Sequence, residues 1–79
     1  VRAAKVDANQ SDIVKALRKV GAQVVPTHTV GQGFPDLVVN FRGRTMLLEV
    51  KDGAKPPSDR KLTDAQKIFH AEWSGELHV

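Results

Sequence analysis

The chain has no cysteine at any of its 79 positions, so no disulfide can supplement its core. In a domain of this size a single core rarely supplies more than about 3–5 kcal/mol, which leaves a bound metal or a partner subunit as the available reinforcement. No apolar run approaches the roughly 20 residues that cross a bilayer, and no signal-peptide pattern opens the chain. With the lack of cysteine, which fits a reducing compartment, this gives the expectation of an intracellular, cytoplasmic protein with no membrane partner. Internal repeats and low-complexity tracts are also missing, and one domain spanning 1–79 is expected, burying roughly 60–65% of the surface its unfolded chain exposes. There is no initiator methionine ahead of Val1, which leaves the natural start of the polypeptide open. The three histidines, His28, His70 and His78, lack metal-ligand spacing and read as surface or interface side chains.

What is present is a modest excess of positive charge and a clear alternation of elements. Lys and Arg outnumber Asp and Glu by 12 to 9, a net charge of +3, which suits a polyanionic partner without requiring one. "DANQSDIVKALRKVGA" reads as an amphipathic helix: Asp7 and Gln10 have capping-box spacing, Ile13, Val14, Leu17 and Val20 recur at helical period, and Gly21 can close the end. "AQVVPTHTV" is a strand whose Pro26 implies an edge position or an early end, and "VGQGFP" is a loop. Two further strands flank the turn "FRGR". The segment "DGAKPPSDRK", Asp52 to Lys61, is a connector of about ten residues. After it, Thr63 and Gln66 form a second capping box, and Ala65, Ile68, Phe69, Glu72 and Trp73 share one stripe of a helix that Gly75 ends. Trp73 is expected in the core. The final "ELHV" is a short strand, giving the order α-β-β-β-α-β.

The hairpin carries the chemistry. Asp36, Glu49 and Lys51 interrupt two otherwise apolar runs, where an unpaired charge would be costly. If the loop holds an even number of residues, Arg42-Gly43 alone or Phe41 to Arg44, then Asn40 pairs with Thr45, Val38 with Leu47, and Asp36 comes opposite Glu49. The two carboxylates then share a face with Lys51, while Leu37, Val39, Phe41, Met46, Leu48 and Val50 occupy the other, with helices covering both sides of the sheet. A three-residue loop would send Asp36 to the opposite face. Neighbouring carboxylates repel and need positive charge; Lys51 supplies part, and a divalent cation held by two carboxylates and water supplies more. A structural salt-bridge group at a sheet edge is the alternative.

These residues resemble a known family. "GFPD" followed one hairpin later by "EVK" is similar to the P-D…(D/E)-x-K signature of the restriction-endonuclease-like nucleases. Within them the set "GQGFPD" at 31–36, "LEVK" at 48–51 and "LTDAQ" at 62–66 resembles the virus-type replication-repair nuclease (VRR-NUC) modules, over nearly the whole chain from about Asp7 to Val79. The resemblance implies an α/β fold, a compact restriction-endonuclease-like core with a central mixed sheet flanked by helices. It implies a Mg²⁺- or Mn²⁺-dependent endodeoxyribonuclease, encoded by a phage or bacterium and acting in replication, repair or recombination. Asp36 and Glu49 would be the metal-binding carboxylates, the carbonyl of Val50 a further ligand, and Lys51 the contact to the attacking water or scissile phosphate. Where many relatives have a glutamate on the first helix, this chain has Gln10, which is a neutral ligand, a hydrogen bond to a metal-held water, or the box partner of Asp7. Gln66 is similarly either near the site or only the partner of Thr63. Arg42, Arg44, Lys55, Arg60 and Lys61 are candidate phosphate contacts or solvated loop residues, Gln66 is a further candidate DNA contact, and Gly31 and Gly33 form either an anion-binding loop or a close backbone approach. The small core and the apolar-alternating "ELHV" further suggest a two-fold homodimer acting on branched DNA such as a Holliday junction. A catalytically inactive nucleic-acid-binding module and a structural interaction subunit are the alternatives.

Overall fold

The computed structural model describes residues 9–79, with residue 59 described by its backbone alone. Its elements run α1 (Gln10–Lys19), β1 (Gln23–Pro26), β2 (Leu37–Phe41), β3 (Arg44–Leu48), α2 (Pro57–Arg60), α3 (Asp64–Glu72) and β4 (Leu77–His78). The order expected from sequence is present, with one addition: the connector contains the short helical turn α2, opened by a proline at a position where its missing N–H is harmless.

Helix α1 begins at Gln10 with Asn9 as N-cap and no side-chain hydrogen bond at the cap. Gln10 is therefore the first helical residue, not the third as a box with Asp7 would need, and Asp7 itself lies outside the described residues. The other end matches expectation. Gly21 has φ +95°, and the amides of Gly21 and Ala22 donate to the carbonyls of Arg18 and Leu17 at 3.0 and 3.1 Å, a Schellman closure that the glycine permits.

The four strands form one mixed sheet in the order β1-β2-β3-β4, making the molecule a small α+β domain. Strand β1 lies at an edge and stops at Pro26, as the proline requires. β1, β2 and β3 are antiparallel, whereas β4 lies parallel to β3 with Leu47 opposite Leu77 and Leu48 opposite His78. The β2–β3 loop is the two-residue Arg42-Gly43, with φ of 53° and 79°, the doubly left-handed geometry whose twist suits a tight hairpin. Asn40 pairs with Thr45 and Val38 with Leu47, the register that an even loop dictates.

That register sorts the side chains. Leu37, Val39 and Val50 are buried with Val14, Ala22 and Val24, and Ile13, Leu17, Phe41, Met46 and Leu48 pack around them. This is the core between α1 and one sheet face. Leu47 and Glu49 are buried on the other, toward α3. The approach of α3 is set at Gly33, where a β-carbon would stand 2.3 Å from the Ala65 carbonyl oxygen; of the two readings of Gly33, close backbone approach is the one this contact explains.

Two expectations for α3 are corrected. Its apolar stripe does not face the sheet: no α3 residue is fully buried, Ile68 is 61% exposed and Trp73 44% exposed. Trp73 is thus not a core residue; it stacks on Phe69 at 5.4 Å, and Phe69 meets Phe34 edge-on at 5.4 Å. The helix also ends at Glu72, with Trp73 as its C-cap, before Gly75 is reached. The indole lies against Gly75, where a β-carbon would be 2.8 Å from Nε1. Among the described residues no helix is long and apolar enough to cross a membrane.

Candidate metal and phosphate site

The site forms where β2 and β3 part. The last paired residues are Leu37 and Leu48, so Asp36 and Glu49 come next on their strands, opposite one another. Asp36 is fixed from two sides: its carbonyl accepts the Thr27 amide at 2.7 Å, and its Oδ2 accepts the Val50 amide at 2.8 Å. The side chain thus carries on the ladder that the backbones abandon. Thr27 adds a hydrogen bond from Oγ1 to the Pro35 carbonyl at 2.8 Å, which locks the Pro35-Asp36 corner. Val50 meets Asp36 through its amide; the carbonyl role implied by the family resemblance is a separate matter.

Glu49 is 2% exposed. Its amide donates to the His78 carbonyl at 2.8 Å, so β4 holds the strand in place, and its Oε1 lies 3.7 Å from Nε2 of His70. Lys51, two residues on and on the same face, donates from Nζ to Oε1 of Gln66 at 3.1 Å. The pairing follows from matching periods. Residues two apart on a strand are separated by about 7 Å and residues four apart on a helix by about 6 Å. Glu49 and Lys51 therefore meet His70 and Gln66 one for one. Gln66 answers both of its readings: the same Oε1 accepts the Thr63 amide at 2.8 Å, completing the capping box, and also anchors Lys51.

His70 is the site residue that sequence reasoning missed, having been read as a surface or interface side chain. Its side chain is only 14% exposed. The available signal was its spacing of four from Gln66, which puts both on one helical face.

Gln10 is buried, 4% exposed, and its Oε1 has no hydrogen-bond partner among the described residues. It lines a cleft with Pro26 and His28, the residues that flank Thr27. The basic residues divide. Lys55, Arg60 and Lys61 follow Lys51 on the connector that leads back to Thr63. Arg42 and Arg44 sit at the opposite end of a five-residue hairpin, roughly 17–20 Å from the carboxylates. Arg42 lies 5.0 Å from the Phe41 ring centre. Arg44 is engaged in a two-pronged bridge, Nε and Nη2 to the two Glu76 oxygens at 2.6 Å each, which ties β3 to β4 and holds the Glu76 carboxyl down at about 2.

Asp36 and Glu49, opposite one another at the strand ends, supply carboxylate oxygens of the kind a divalent cation takes. Among the described residues no group of three or more His, Cys, Asp or Glu side chains forms a ready cage. Two carboxylates with the remaining positions left to water, carbonyl and phosphate is, however, the usual protein share for a hard cation such as Mg²⁺. Compared with known proteins, the chain matches no family model, no curated protein and no solved structure.

Proposed function

We propose that the chain is a metal-dependent DNA endonuclease of the restriction-endonuclease-like fold and VRR-NUC type. The observation that carries this reading is the two-residue hairpin register: it sets Asp36 and Glu49 side by side at the strand ends, with Lys51 oriented by Gln66. Asp36 and Glu49 would hold Mg²⁺ or Mn²⁺, which when bound offsets phosphate charge and lowers the pKa of water. Asp36 is steadied by the Val50 amide, so its carboxylate needs little reorganisation to act. The Lys51 ammonium supplies a mobile positive charge for the phosphate oxygen that gains charge in the transition state; its hydrogen bond to Gln66 aims it without neutralising it. His70 stands beside Glu49, its Nε2 3.7 Å from Oε1. Lys55, Arg60 and Lys61 are the contacts proposed for neighbouring phosphates, and Arg42 for a more distant one.

A second reading, a binding module of the same fold without catalysis, is favoured by the deep burial of Glu49 and by the tie of Lys51 to Gln66. Incubating plasmid and four-way-junction DNA with the protein in Mg²⁺ or Mn²⁺ and in EDTA separates them: cation-dependent nicking supports the nuclease, and binding without nicking supports the module.

The proposal includes a two-fold homodimer that presents two sites to a branched substrate. Its support has moved. The "ELHV" strand finds its edge on β3 of its own chain, whereas the α3 stripe leaves a groove lined by Gln32, Ala65, Ile68, Phe69 and Glu72, an apolar surface suited to a second copy.

A further inference from the structure

A cleft of about 280 Å³ lies between one side of α1 and the end of β1, with Gln10, Val14, Lys15, Arg18, Pro26 and His28 in its lining. Two buried polar atoms of this lining, Gln10 Oε1 and His28 Nδ1, make no hydrogen bond among the described residues. An unanswered buried polar atom costs about 1–3 kcal/mol, so a group in the cleft that these two side chains turn to meet would bind with gain. Val14 and Pro26 offer apolar surface beside them. Lys15 and Arg18 are exposed, and the Arg18 guanidinium is steadied by its Nη2 donating to the Val24 carbonyl at 3.1 Å.

The occupant that this lining matches best brings an apolar body, an edge with hydrogen-bonding groups, and a negative charge. Inorganic phosphate lacks the apolar body, and a metal ion would be repelled by the two cations. A nucleotide has all three features. We infer that this cleft receives one unpaired nucleotide of a DNA strand, with its base against Val14 and Pro26, its base edge on Gln10 and His28, and its phosphate on Lys15 and Arg18. Unpaired bases are read in this way, through an apolar face and an exposed edge. Thr27, between Pro26 and His28, donates to the Asp36 carbonyl, so the chain that lines the cleft is hydrogen-bonded to the strand end that carries Asp36, whose side chain faces the other side of the sheet. A strand with an unpaired base beside a branch would seat more readily than continuous duplex. The inference rests on the nuclease reading only for that consequence; nucleotide binding itself requires no cation.

The test is a heteronuclear NMR titration of the whole chain in EDTA with a deoxynucleoside 5′-monophosphate, the parent nucleoside and inorganic phosphate. The monophosphate is expected to shift the Gln10 side-chain amide, Val14 and His28 saturably, with nucleoside and phosphate each about tenfold weaker, since each forfeits one set of contacts. Lys15→Ala should weaken the monophosphate about fivefold and leave the nucleoside unchanged, as loss of an exposed phosphate contact does. Silence of the cleft resonances overturns the inference, as does equal binding of inorganic phosphate, which would leave an anion site only. Because EDTA removes any cation, these outcomes stand apart from whether DNA is cut in Mg²⁺.

Discussion

At the scale of single residues, the site depends on one side chain that bonds a backbone and one glycine that admits another. Asp36 accepts the Val50 amide and Lys51 donates to Gln66, so removing either charged side chain disturbs position as well as charge. Lys51→Ala is expected to lose cleavage by about 10²-fold or more while retaining cation binding, because an ammonium ligates no cation and its contribution lies in the transition state; calorimetry showing lost Mg²⁺ affinity would oppose that role. Gly33 and Gly31 make a controlled pair. Both have positive φ, 79° and 77°, but only Gly33 faces the Ala65 carbonyl, and nothing lies within 4 Å of a β-carbon at Gly31. Gly31→Ala should cost about 1–2 kcal/mol from backbone strain alone. Gly33→Ala should cost about 3 kcal/mol or more, because overlap with fixed backbone is added. Urea titration checks the difference, and equal costs would mean that α3 does not dock at Gly33.

At the scale of elements, the parts legible in the sequence were those that local chemistry determines. The Arg42-Gly43 turn, the Pro26 strand end, the Gly21 closure and the Thr63–Gln66 box all follow from backbone restrictions of the residues present, and the hairpin register follows from the turn. Which side of α3 meets the sheet does not. Its apolar stripe argued for one face, yet buried Glu49 and half-buried Lys51 draw Gln66 and His70 inward and leave Ile68 and Trp73 outside. A polar group inside the fold outweighs apolar periodicity, and only the three-dimensional arrangement reveals it. The β3–β4 junction was equally hidden, since nothing local joins Arg44 to Glu76 across 32 positions. The Arg44 hydrogen bond leads the causes that hold the Glu76 carboxyl at about 2 instead of 4.5. A depressed carboxyl stabilises the fold above its unfolded value and loses that contribution as pH falls through its folded value. The protection of β4 amides from hydrogen exchange should therefore decline between pH 4.5 and about 2, and modestly, as the pair is exposed. Glu76→Gln should remove the decline attributable to this bridge; an unchanged acid profile in that variant would show that β4 is held by other contacts.

At the scale of the whole molecule, one small sheet must support two tasks, holding a charged site and covering an apolar helix face. In the proposed dimer the contact would lie on α3, at exposed Ile68 and Trp73, and Ile68→Glu should convert it to a species of 8.6 kDa by light scattering at micromolar concentration. A wild-type protein that is already monomeric there would remove the dimer from the account. The nuclease reading itself turns on the paired carboxylates, and the most direct measurement is cleavage of a four-way junction by wild type and by Asp36→Ala, each in Mg²⁺ and in EDTA, with the fold of the variant verified by circular dichroism. The account requires nicking by wild type in Mg²⁺ only and none by the folded variant. Nicking that survives either EDTA or the loss of Asp36 would contradict it, as would a wild-type protein that binds the junction and never cuts it.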